Sequence, residues 1–250
     1  MKNKRILNAL NQVDDKYINE AAPEMGVHKR SARIKLAALA ACLALVLAVG
    51  IPALVNRNNA IPLSDASSKV KVTHINRIPN KSTSKSDLMA LTEEEIFSKS
   101  NTLIFKGMVT KISNIKISFN GSNEYQALAE IKTEKVYRGS IAPGDTITVL
   151  VPCPIEGSIK VEDTGVISQL KVGMTGIFMP VIYDETSIWE ENGARLTKKD
   201  LAPCGFSDGM RWAFLETSNG LVFERWSYES IADATTLEQI EEYILKMLGK

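Results

Sequence analysis

LIFKGMVTKISNIKISFNGSNEYQALAEIK, residues 103–132, decides the fold class of this 250-residue chain. Leu103 to Ile112 is rich in apolar side chains. Ile115, Ile117 and Phe119 then alternate with Lys116 and Ser118, the period-two pattern of a strand with one face covered. Asn120-Gly121 is a hairpin signal, because both residues tolerate the left-handed backbone that tight turns require. Ala127, Ala129 and Ile131 next alternate with Leu128, Glu130 and Lys132. An antiparallel hairpin is the expected result.

Further strands follow from the same pattern. Gly139 and Pro143-Gly144-Asp145 punctuate a connection to a strand marked by Ile147, Val149 and Val151. Gly176 to Tyr183 is a continuous apolar run and reads as a central strand. Met210 to Glu216 and Leu221 to Trp226 flank the turn Ser218-Asn219-Gly220. That hairpin sets Trp212 and Phe214 on the side of Leu221 and Phe223. Helices bound the β region. Thr92 with Glu95 has capping-box spacing, and Glu93 and Glu94 suit the positive end of a helix. Thr235 with Glu238 caps a last helix whose apolar face is Leu237, Ile240, Ile244 and Met247 or Leu248. Lys246 and Lys250 fall in its last turn. Short strands with turns between them and helices at both ends predict a mainly β domain over 91–250. It is expected to be a small OB-like β-barrel with flanking helices.

Upstream, Leu36 to Val55 runs for twenty residues without a charge. As a helix it is about 30 Å long, the thickness of a bilayer's hydrocarbon core. Residues 1–35 carry eight Lys/Arg, and the first fifteen residues after the run carry two, Arg57 and Lys69. This asymmetry predicts a single transmembrane helix over 36–55, with the N-terminus cytoplasmic and residues 56–250 outside the cell membrane. A cleaved signal ending at Ala48-Val49-Gly50 is the alternative, but 35 residues before an apolar core is long for one. Leu39-Ala40-Ala41-Cys42 spells a lipobox, with too short an apolar stretch before it. Cys42 is better read as a small apolar residue in the helix. Ala40, Ala44 and Ala48 form a small-residue stripe of the kind that lets helices approach closely.

Ile6, Leu10, Val13 and Tyr17 fall on one helical face of the arm, residues 1–35. Such a face is too small to build a core alone. It suits docking of a cytoplasmic regulatory protein, or rest on the membrane surface. Residues 56–90 read as a flexible linker, with Asn56, Asn58, Asn59, Pro62, Pro79 and a Lys/Ser run from Lys81 to Ser86.

Two resemblances follow from quoted residues. Ile6-Leu7-Asn8-Ala9-Leu10, Asp14-Asp15-Lys16-Tyr17-Ile18 and the Lys/Arg-flanked alanine-rich helix resemble the N-terminus of single-pass bacterial membrane proteins, including membrane-bound anti-sigma factors. The arm has one His, His28, and no Cys, so the motif of zinc-binding anti-sigma factors is absent. Over about residues 103–183, Phe105-Lys106-Gly107-Met108-Val109, Ala129 to Gly139, Gly144-Asp145-Thr146-Ile147-Thr148-Val149 and Leu170-Lys171-Val172-Gly173 are similar to the tissue-inhibitor-of-metalloproteinase/netrin-like version of the OB barrel. That resemblance implies a fold. The inhibitors' metal-binding N-terminal Cys has no counterpart here, so their mechanism does not carry over.

Chemistry is narrowed by what the chain lacks. Its two His are His28 and His74, so residues 91–250 hold none. A Ser-His-Asp or Cys-His site within that domain is excluded. No GxxxxGK[ST] or GxGxxG motif occurs. The net charge of +1 gives no electrostatic case for nucleic acid. Asp184, Glu185, Glu190 and Glu191 cluster around Trp189 and read first as a solvated acidic loop, with a carboxylate pair or weak Ca²⁺ site as the sharper alternative. Trp212 and Trp226 suit either core packing or a sugar-binding face. Cys153 and Cys204 sit in similar turns, open to a disulfide or to two separate buried thiols. The expectation is a binding or sensing module, not an enzyme and without a cofactor, meeting the lipid bilayer, an extracellular ligand and, through residues 1–35, a cytoplasmic regulatory partner.

Overall fold

The computed structural model describes residues 59–65, 69–78, 90–155 and 163–250. The arm with Ile6, Leu10, Val13 and Tyr17, and the apolar run 36–55, lie outside them. Among the described residues no helix is long and apolar enough to cross a membrane.

The predicted hairpin is the spine of a mainly β structure. β1 (Ala60–Ile61) and β2 (Lys71–His74) come first, then α1 (Glu93–Ser98), β3 (Ile104–Phe119), β4 (Ser122–Arg138) and β5 (Thr146–Val151). β6 (Thr175–Phe178), β7 (Val181–Ile182), β8 (Ile188–Glu191), β9 (Ala194–Thr197) and β10 (Cys204–Gly205) follow. β11 (Ala213–Thr217), β12 (Gly220–Val222) and α2 (Leu237–Met247) complete the chain. The main sheet runs β12-β11-β6-β3-β4-β5-β10-β7, with β2 added to β3 and β1 to β2. β8 and β9 form a separate hairpin.

β3 and β4 span 16 and 17 residues, about three times an ordinary strand. Strands this long must twist and bend, and their register slips at three places to allow it. One slip leaves Thr110 unpaired between Val109, opposite Ile131, and Lys111, opposite Glu130. The far end of the sheet returns to the start of β3. Thr102 bridges Val181, the Leu103 N–H donates to the Pro180 carbonyl at 2.9 Å, and the Ile182 N–H donates to Asn101 at 2.8 Å. The sheet is therefore curled into a half-barrel.

The curl has apolar clusters on both faces. The inner cluster joins Phe105, Val109, Ile131, Val149, Ile177 and Phe214 to α1 and α2. Both helices are held by capping boxes. The box at Thr92 and Glu95 is as expected. The second one sits a residue later than the sequence suggests, at Thr236 and Gln239, which places Leu237, Ile240, Tyr243 and Ile244 in the core. The outer cluster joins Val70, Val72, Ile115, Ile117 and Phe119 to Leu196 and Leu201.

Three expectations are corrected. Residues 60–61 and 71–74, within the stretch 56–90 read as a flexible linker, are strands. Lys69-Val70-Lys71-Val72-Thr73 alternates locally, and Val70 and Val72 are buried on β3. The run Gly176 to Tyr183 is not one strand. Met179-Pro180 interrupts it, because proline lacks the N–H a ladder needs. β6 then pairs with β3 and β11, while β7 pairs with β10 at the other end of the sheet. The late hairpin is shorter than read, since Met210 to Trp212 form a turn around Asp208. Phe214 and Phe223 do meet, with ring centroids 5.4 Å apart.

Candidate functional site

β8 and β9 are joined by Asn192-Gly193, with φ of 49° and 70°, and Glu191 faces Ala194. Two successive positive φ angles make a two-residue hairpin turn, for which Asn-Gly is the favoured pair. The hairpin lies against the outer face of the main sheet. Trp189 packs on Phe119, centroids 4.9 Å apart and planes inclined at 51°. The Asn120 side-chain amide donates to the Asn192 carbonyl at 3.2 Å, and Ser122 Oγ donates to Glu191. Ser64 donates twice to Asp200 Oδ2, each at 2.9 Å, fastening the segment between β1 and β2 to the turn after β9.

This anchoring leaves a cleft of about 250 Å³ between hairpin and sheet. Leu150, Pro152, Phe206 and Ile188 line it with apolar groups, Tyr183 and Trp189 with aromatic rings, and Gln126, Lys198, Glu190 and Ser207 with polar groups. Gly205 makes room for the Tyr183 ring, since a Cβ there would come within 2.8 Å of the ring Cζ.

Two polar groups of the cleft are incompletely partnered among the described residues. Gln126 is opposite Ile115 in the ladder, which turns it to the outer face. Its Oε1 is buried without a hydrogen-bond partner. Such an atom costs about 1–3 kcal/mol. Lys198 is partly buried at the start of a short 3₁₀ turn. Its Nζ lies 5.5 Å from the Tyr183 ring centroid, and among the described residues it forms no salt bridge. Burial lowers its pKa. Burial, with a smaller contribution from Cys204, raises that of Tyr183, so its phenol stays a neutral donor. Glu190 is engaged by Arg195 at 2.8 Å. The cleft thus offers a cation without a salt-bridge partner among the described residues, an amide and hydroxyls, together with apolar and aromatic side chains, a combination suited to binding.

The acidic residues singled out in the sequence do not act together. Asp184 accepts from Thr186 and Ser187 within its own turn, and those bonds lower its pKa. Glu185 pairs with Lys199, Glu190 with Arg195, and Glu191 accepts from Ser122. Among the described residues no group of three or more His, Cys, Asp or Glu is placed to hold a metal ion.

Cys153 and Cys204 are two free, buried thiols, the second of the two alternatives the sequence leaves open, and not a disulfide. β10 runs parallel to β5 with Cys204 beside Val149, four residues before Cys153. Cys204 Sγ instead contacts the Thr148 carbonyl at 3.7 Å.

Trp212 and Trp226 do not form a shared face. Trp212 is buried and donates to Asp208 Oδ2 at 2.7 Å, whereas Trp226 is 88% exposed. Asp208 Oδ2 also accepts from Arg211 Nη2 at 2.7 Å, and Oδ1 accepts the N–H groups of Met210 and Arg211. This is a satisfied buried polar network, and it belongs to the fold.

Lys198, Gln126, Tyr183 and Phe206 were not legible as a set. Asn192-Gly193 was the available signal, a hairpin turn beside Trp189 that the surrounding carboxylates obscure. No protein-family model, curated protein or solved structure matches the chain.

Proposed function

We propose that this chain is a membrane-anchored, extracytoplasmic binding and sensing module. Residues 36–55 tether it to the bilayer with the N-terminus inside. The β domain is an OB-like barrel outside, and the arm, through Ile6, Leu10, Val13 and Tyr17, engages a cytoplasmic regulatory partner in the manner of an anti-sigma factor. The single observation carrying the binding role is the cleft under the β8–β9 hairpin, where, among the described residues, Lys198 has no carboxylate partner and the Gln126 Oε1 no hydrogen bond.

The OB-like assignment is supported by where the quoted motifs fall. Gly107 and Val109 lie in β3, Arg138-Gly139 ends β4, Gly144-Asp145 precedes β5, and Val172-Gly173 precedes β6. The curled order β3-β4-β5-β10-β7, returning to residues 101–103, is consistent with it. The topology is supported by the basic asymmetry across the apolar run.

Protease shaving of intact cells carrying tags at both ends tests the topology. Loss of the C-terminal tag with retention of the N-terminal one is expected, and the reverse, or a mature form starting near Ile51, overturns it. Pull-down with residues 1–35 tests the arm. Leu10→Asp with Tyr17→Asp should lose a partner that the native arm recovers. Identical proteins from both baits would remove the regulatory role.

A second reading is a tethered interaction module whose arm serves only insertion. Trp226, exposed beside Arg225, favours it, because a lone exposed aromatic suits a protein contact. Replacing residues 1–55 by an unrelated N-in anchor separates the two. Full function after the swap supports the tether alone.

A further inference from the structure

We infer that the cleft between the β8–β9 hairpin and the outer sheet face binds a sugar acid, a single pyranose ring bearing one carboxylate. The inference deepens the binding role proposed above and rests on it.

Size is the first constraint. About 250 Å³ is below the range of pockets for drug-sized ligands and matches one ring with its substituents. Charge is the second. Lys198 is the one cation lining the cleft, and it has no carboxylate partner among the described residues. A single ammonium suits one carboxylate. A phosphate would call for more donors, such as a guanidinium fork or a run of backbone N–H groups. The mixture of lining groups is the third. Leu150, Pro152 and Phe206 are apolar, Tyr183 and Trp189 are aromatic, and Gln126, Lys198, Glu190 and Ser207 are polar. A pyranose has the complementary form, apolar C–H faces and a belt of hydroxyls. Gln126 both donates and accepts, the Glu190 carboxylate accepts, and Ser207 does both, so hydroxyls of either role find partners. An aromatic acid fits the apolar side chains and Lys198 but leaves the Gln126 Oε1 without a donor. Filling the cleft with a hydroxylated ring also provides the buried Gln126 amide with the partner the protein omits.

Saturation-transfer NMR on the full chain in detergent, with D-glucuronate, D-galacturonate, D-glucose and benzoate, tests the inference. At least one uronate should bind tenfold or more tightly than glucose. Lys198→Gln should abolish that preference, and Lys198→Arg should keep it. Gln126→Leu should weaken uronate and glucose alike. Thermal melts matching the parent show that the variants fold. Equal binding of uronate and glucose, an unchanged preference in Lys198→Gln, or silence with every probe overturns the inference. Benzoate binding that depends on Lys198 without uronate binding overturns the sugar class and leaves the binding role standing. That role fails separately if a cleft-filling Leu150→Trp variant, folded by its melt, performs normally in cells.

Discussion

Val109 and Ile115 are six residues apart on the same strand yet face opposite sides of the sheet. Val109 belongs to the inner cluster and Ile115 to the outer one. An even separation on a regular strand puts two side chains on one face. Thr110 breaks that parity. It has no partner in the ladder, so Lys111 pairs with Glu130 where Val109 paired with Ile131. One extra residue sends the apolar stripe of β3 into two cores, and the outer one supports the hairpin that covers the cleft.

Deleting Thr110 should cost more than truncating it, but without moving the two cores. The deletion makes Val109 opposite Ile131 and Lys111 opposite Glu130 consecutive rungs, and the five residues then separating Val109 from Ile115 still put them on opposite faces, so what is lost is the bend of the bulge. We expect a loss of about 1–3 kcal/mol in urea unfolding. Thr110→Ala removes only the exposed bond from Oγ1 to the Glu130 carbonyl, 3.0 Å long, and should cost about 1 kcal/mol or less. Equal effects of the two changes would show that the bend at Thr110 contributes nothing to stability.

Asp208→Ala should be among the most destabilising single substitutions. It takes the carboxylate from the buried Arg211 guanidinium and the acceptor from the Trp212 N–H. Breaking a buried pair costs about 3–5 kcal/mol. Lys199→Ala, which breaks the exposed, solvent-screened pair with Glu185, should cost far less. Chemical denaturation of both variants checks the contrast.

Acid should loosen the joint between α1 and the C-terminal region. Glu93 accepts from the Ser230 N–H and hydroxyl and from the Tyr243 hydroxyl. Burial opposes its charge, but these bonds outweigh burial and hold its pKa below the ordinary value. A carboxylate lowered in the folded state stabilises fully above its unfolded pKa, about 4.3, and that contribution is lost as pH falls through the folded value. Glu93→Gln should lower Tm at pH 7 and shrink the drop between pH 5 and pH 3. An undiminished drop would assign the acid sensitivity to other groups.

Neither Cys153 nor Cys204 should react with iodoacetamide in the folded protein at pH 8. Burial pushes their pKa values up to about 11 and about 12, the first moderated by Thr164, so little thiolate forms and access is blocked. Urea should expose both. Mass spectrometry of the labelled protein reads the result, and rapid native labelling, or an intact disulfide in material prepared without reductant, would contradict it.

Local signals were enough for several parts of this protein. Alternation and Asn120-Gly121 announced the long hairpin, and Thr92 with Glu95 announced α1, because these rest on contacts between residues close in sequence. The acidic cluster around Trp189 was legible only as composition. Its carboxylates take separate partners, with Ser122 and Lys199 supplied by other turns of the chain.

The sequence by itself determined the mainly β character, the hairpin at its centre and the helices flanking it, since strand period, turn chemistry and capping act over a few residues. Tertiary structure alone decided that Met179-Pro180 divides one apolar run between two ends of a sheet, and that Thr110 sends one stripe to two faces. It also decided that Gln126 and Lys198, 72 positions apart, line one cleft. Those outcomes depend on which strands find each other once the sheet curls, and on which polar groups are left unpaired when the β8–β9 hairpin closes over it.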